Sequence, residues 1–190
     1  MSILQTRFLA QCTTPGKALQ ELCAPFPHFS IGPGDFAEVV PEQVPQPYRQ
    51  LLVHGRHMTR VLGEYHGAPV DVYVMDMRRN GDCYSRKIFL TERGDARAIE
   101  LGVARVHLSS LRQPSRDQVL QARRPLGAVL AENESLRRIE PRWYLRFPAG
   151  SAILRWFGYP REGPFYGRIA SIYCGDEPAI EVLEIVTLWE

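Results

Sequence analysis

The sequence predicts an α+β fold: a mostly antiparallel β-sheet with short helices inserted mid-chain, in one domain spanning residues 1–190. Three observations predict it. Apolar and polar residues alternate with period two, as where Val70, Val72 and Val74 interleave with Asp71, Tyr73 and Met75, the mark of a strand with one buried face. Tight-turn signals, Arg78-Arg79-Asn80-Gly81-Asp82 and Gly175-Asp176-Glu177-Pro178, join such stretches by loops too short for a parallel crossover. Helix-start signals are few, and each is followed by a short apolar pattern.

Read in order, the first 50 residues hold seven prolines, from Pro15 to Pro47, which break any long element. Short helices are expected at 16–23, capped by Thr13 or Thr14 with Pro15 in the opening turn, and at 48–54. The rest of this region is expected to wrap over the fold rather than form a second domain. Strands are expected at 61–65 and 69–77, joined at His66-Gly67, then at 83–91 and 98–108. Ser115 is the expected N-cap of a helix at 116–122, and a second helix starts near Pro125 and runs to Asn133. Strands return at 142–147, 165–174 and 179–188, the last two as a hairpin.

The totals narrow the function classes. With 45% hydrophobic and 23% charged residues, the chain has the composition of a globular protein with a core. A formal net charge of +2 with no long Lys/Arg block argues against a nucleic-acid partner. No apolar run is long enough for a membrane span, and the Phe8-Leu9-Ala10 stretch is too short for a signal peptide. Cys12, Cys23, Cys83 and Cys174 lack metal-site spacing, so reduced thiols in a cytoplasmic protein are expected. His54 and His57 lie three apart, but no third ligand accompanies them and no metal is expected. The Trp143-Tyr144 and Trp156-Phe157-Gly158-Tyr159 clusters read as core packing before an aromatic lid. The Arg123-Arg124 and Arg137-Arg138 pairs read as solvated faces.

Parity along two strands singles out two charges. Successive strand side chains face opposite ways. On the last strand one face reads Ile180, Val182, Glu184, Val186, Leu188, a lone carboxylate among aliphatics, while Glu181 on the other face is expected in solvent. On the strand after the Asn-Gly turn one face reads Tyr84, Arg86, Ile88, Leu90, with Lys87 as the natural solvent charge opposite. Burying Arg86 or Glu184 alone costs several kcal/mol, so each needs a partner: the other residue, or a ligand.

Three segments, taken together and in order, resemble the chorismate lyase family. Tyr84-Ser85-Arg86-Lys87-Ile88-Phe89-Leu90 is similar to the family strand whose arginine binds the aromatic ring carboxylate. Pro125-Leu126-Gly127-Ala128-Val129-Leu130 is similar to its Pro-Leu-Gly helix start, where a leucine amide meets that carboxylate. The terminal stretch through Leu183-Glu184-Ile185 is similar to its final strand with a working glutamate. His57-Met58-Thr59 matches a Met-Thr step that lines the pocket. The resemblance covers about Leu51 onward. It departs at Leu183, commonly threonine in the family, and at Val103, near the place of a further arginine in the bacterial ubiquinone-pathway form, with Arg105 two positions on.

The resemblance implies elimination of pyruvate from chorismate to give 4-hydroxybenzoate. Arg86, with the backbone N–H groups of Met58 and Leu126, would hold the ring carboxylate, and Glu184 would act at the far end of the ring. No cofactor is implied. A small aromatic acid is the expected partner, and the protein is expected to be a monomer or small homo-oligomer. A non-catalytic aromatic-acid binder, or an enzyme for another chorismate-like acid, remains open on the same residues. No DNA-binding winged helix is expected beside this domain.

Overall fold

The computed structural model describes residues 12–134, 137–158 and 162–188. The Phe8-Leu9-Ala10 stretch, Tyr159 and the side chain of Arg137 lie outside them. Seven antiparallel strands form one sheet: β1 (Ala37–Val39), β2 (Val70–Asn80), β3 (Cys83–Glu92), β4 (Ala98–His107), β5 (Arg137–Phe147), β6 (Phe165–Cys174) and β7 (Glu177–Val186), in the spatial order β1-β5-β6-β7-β4-β3-β2. Gly81-Asp82 and Gly175-Asp176 close the two hairpins, where the turn signals place them. The fold class is the one expected, and β1, drawn from the Pro-rich region, joins the sheet as an edge strand.

Helices cover both faces. On one lies α1 (Pro15–Cys23), whose Thr14 side chain caps it through the Lys17 amide, together with α6 (Ala152–Trp156). On the other lie α2 (Tyr48–Leu52), α3 (Met58–His66), α4 (Gln113–Gln121) and α5 (Leu126–Asn133). Among the described residues no helix is long and apolar enough to cross a membrane.

Two local expectations fail for identifiable reasons. Residues 61–65 belong to α3 rather than to a strand. Met58, Val61 and Leu62 are the buried residues, at helical spacing, while Arg60 and Glu64 pair four apart on the exposed side. Gly67 ends the helix with a left-handed φ of 70°. Ser115 lies inside α4 and is no N-cap; its hydroxyl donates to the buried Glu134 carboxylate at 2.5 Å.

Coverage on both sides also overturns two expected solvent charges. Every residue of β4 is buried, and the odd-numbered faces of β3 and β7 lie under α1 and α6. Lys87 is therefore buried: its Nζ donates to the Trp156 carbonyl at 2.6 Å and sits 3.9 Å from the Trp156 ring centre. Trp156 and Phe157 are thus packing residues at this spot. Glu181 is fully buried and accepts from Arg105 Nε at 2.6 Å, with His107 at 3.6 Å. Removing one member leaves the other as an uncompensated buried charge. Arg105→Met is expected to destabilise the fold by about 3 kcal/mol, and adding Glu181→Leu to recover most of that. Urea unfolding of the single and double variants checks it, and a double variant as unstable as the single one would contradict it.

Candidate functional site

The even-numbered face of the central strands carries the site. Strand register puts Arg86, Ala104, Val182 and Ala170 in one row across β3, β4, β7 and β6. The next row is Ile88, Gly102, Glu184 and Arg168, and the next Leu90, Glu100, Val186 and Tyr166. Two apolar clusters lie on this face, one under α4 and α5, the other under α2 and α3. The charged residues follow the seam between them. A small cavity of about 40 Å³ opens there. Arg86, Glu184, Met58 and Leu126, the four residues singled out from the sequence, all line it.

One end of this cavity carries positive charge. Arg86 is 1% exposed, and among the described residues no carboxylate pairs with it. Its Nη1 lies 3.4 Å from the Arg124 carbonyl, a long contact, and its Nε has no hydrogen-bond partner among the described residues. Burial lowers the guanidinium pKa, partly offset by Tyr84 and Glu100, but a guanidinium stays charged. The Arg124 contact sets it beside the start of α5. Leu126 is the first residue of α5 and Met58 the first of α3, so their amides have no intrahelical acceptor and sit at the positive ends of the helix dipoles. The two helix ends touch. A Cβ on Gly127 would lie 2.9 Å from Thr59 Oγ1 and 3.1 Å from His57 Cβ, so only glycine allows this approach.

The other end is acidic. Glu184 does not pair with Arg86. From the strand register their Cα atoms are roughly 12 Å apart, two strand spacings across and two residues along. Its partner is Arg168, directly opposite on β6 and fully buried, at 2.6 Å. Arg168 also donates to the carbonyls of Leu52 at 3.0 Å, His54 at 2.7 Å and Arg56 at 3.2 Å. His54 accepts on this side and contacts the Leu51 carbonyl through Nε2 at 2.7 Å. Burial and then Arg168 lower its pKa. His54 and His57 thus have separate tasks, the one in the Arg168 knot and the other at the cavity. Among the described residues no three His, Cys, Asp or Glu side chains converge as a metal site would need.

A second carboxyl lines this end. Glu100 is buried, its Oε2 has no hydrogen-bond partner among the described residues, and it lies diagonal to Glu184 across β4 and β7. Burial first, and the Glu184 charge second, hold its carboxyl well above the usual carboxylate range, against smaller opposing effects of Arg168 and Arg86. Arg105 does not serve the cavity. It lies on the opposite face of the sheet, with Glu181.

Glu100 and Arg168 escaped the sequence reading, although the same parity test finds both. Arg168 sits on a face with Tyr166, Ala170 and Ile172, and Glu100 on one with Gly102, Ala104 and Val106.

No family model and no curated protein matches the chain. Among solved structures it is similar to the ligand-binding domain of a GntR-family transcriptional regulator from Bordetella bronchiseptica, at 12% identity over 62% of this chain and 85% of that one, with a TM-score of 0.44. It is also similar to the C-terminal domain of the histidine utilization repressor from Pseudomonas syringae pv. tomato, at 10% identity over 64% and 96%, with a TM-score of 0.42.

The Glu100 proton has a stability consequence. The folded chain keeps it, whereas the unfolded chain releases it above about pH 4.5. The native state then binds more protons, so stability falls as pH rises from that value toward the Glu100 titration point, by at most about 1.4 kcal/mol per pH unit. Glu100→Gln removes the effect. Its urea midpoint is expected to match wild type near pH 4.5 and exceed it increasingly up to pH 8. A constant offset across that range would mean that Glu100 is ionised in the fold.

Proposed function

We propose that this chain is a lyase that eliminates pyruvate from chorismate to give 4-hydroxybenzoate. The observation that carries this reading is Arg86, a buried guanidinium with no carboxylate partner among the described residues, which lines a cavity together with the first residues of α3 and α5. Leaving such a charge unpaired costs several kcal/mol, which a bound carboxylate would return through charge-assisted hydrogen bonds. The apolar walls, Ile88, Leu90 and Val182 among them, suit a ring, and the separation of Arg86 from Glu184 suits a ring substituted at opposite ends.

The chemistry asks little more of the protein. The ring carbon bearing the hydroxyl loses its proton, the neighbouring carbon loses enolpyruvate, and the enolpyruvate methylene gains a proton to become pyruvate. Aromatisation drives the step without a redox partner. Arg86 and the Met58 and Leu126 amides orient the substrate, and much of the rate comes from that positioning. Glu184, held by Arg168, accepts the ring proton.

Purified protein incubated with chorismate is expected to release 4-hydroxybenzoate and pyruvate in equal amounts. Arg86→Leu should weaken 4-hydroxybenzoate binding about 100-fold or more, the usual loss for a buried charge partner. Glu184→Gln still accepts from Arg168, so it should bind the acid but release no pyruvate. A wild-type protein that binds 4-hydroxybenzoate yet forms no pyruvate is an aromatic-acid binder built on the same geometry. One that does neither overturns the reading.

A further inference from the structure

Glu100 has no task in the mechanism above, yet nothing else in the cavity explains it. A buried carboxyl with an unpartnered oxygen is destabilising unless something uses it. Its direction says what that is. A Cβ on Gly102 would lie 3.1 Å from Glu100 Oε1 and 3.1 Å from Ile88, so the Glu100 side chain lies over Gly102, in the row that leads directly to Glu184. Diagonal cross-strand neighbours have Cα atoms about 7–8 Å apart, which lets one ligand oxygen reach both carboxyls. Two ionised carboxylates cannot share that oxygen, but one acid and one carboxylate can: the acid donates to the oxygen, and the oxygen's own hydrogen goes to the carboxylate.

We propose that Glu100 is a specificity-determining residue, a neutral carboxylic acid that donates its O–H to the hydroxyl oxygen of the bound acid while that hydroxyl donates to Glu184. This rests on the aromatic-acid reading of the cavity and names what selects the substituent opposite the carboxylate. The groups that face Glu100 are Glu184 on β7, Arg168 and Tyr166 on β6, Arg86 on β3 and His57 at the start of α3. Arg168 is engaged by Glu184 and the chain before α3, and Arg86 lies at the far end. Burial and the Glu184 charge keep the proton on Glu100. Once it leaves, two negative charges face the ligand, so preference for the hydroxylated acid is lost as pH rises.

The test compares the dissociation constants of 4-hydroxybenzoate and benzoate by calorimetry from pH 6 to 8, below the ionisation of the ligand's own phenol. Wild type is expected to prefer 4-hydroxybenzoate by tenfold or more at pH 6. Glu100→Leu should bind benzoate but show no preference. Glu100→Gln, which keeps a donor and cannot ionise, should retain a preference that is flat to pH 8. A wild-type preference that Glu100→Leu keeps, or that falls with pH as steeply in Glu100→Gln as in wild type, overturns the proposal and leaves the aromatic-acid reading standing. Failure to bind either acid overturns both.

Discussion

The guanidinium of Arg168 is the constraint on which the site depends. It is fully buried at the centre of the sheet, and its donors are divided between Glu184 on the neighbouring strand and three carbonyls of the chain that leads into α3. That chain follows five-residue α2, which is too short to hold itself in place. The arginine therefore does two things with one group. It fixes the carboxylate that faces the cavity, and it fixes where α3 begins, hence where the Met58 amide sits. A lysine, with one charged atom and no planar fork, could not bind four carbonyl and carboxylate partners in these directions.

The buried charges of the sheet follow one rule. Buried arginine needs an acid or a ligand, and the three most deeply buried arginines among the described residues divide accordingly. Arg105 has Glu181, Arg168 has Glu184, and Arg86 has neither. The two satisfied pairs are structural by geometry, one on each face of the sheet. The unsatisfied one stands where two first-turn amides converge, so its position, and not its charge alone, sets it apart.

Much of this was legible in the residues, because strand parity is a property of the backbone. The period-two pattern located β2, β3, β6 and β7 to within a few residues, and it flagged Arg86 and Glu184 as charges on apolar faces. What it could not show is which faces are covered. Parity tells that Lys87 and Arg86 point opposite ways, but not whether a further layer covers the face that Lys87 occupies. Only the packing of α1 and α6 onto the far face buries Lys87 and Glu181. The same limit hid the true partner of Glu184. Its cross-strand neighbour depends on β6 lying beside β7 in one register, and Arg168 is a long-range fact with no local signature. The misread of α3 has a different origin. Val61 and Tyr65 favour strands by residue type, and the helical spacing that decides the matter needs the whole stretch from Met58 to His66.

Gly127 carries a last implication, for what substitution can reach. The first turns of α3 and α5 pack so closely at the cavity that a methyl group on Gly127 would meet Thr59 Oγ1 and His57 Cβ. A side chain added there would push the two helix starts apart, and with them Met58 and Leu126, which line the cavity. The width of this end of the cavity is thus held by a residue that contributes no side chain to it.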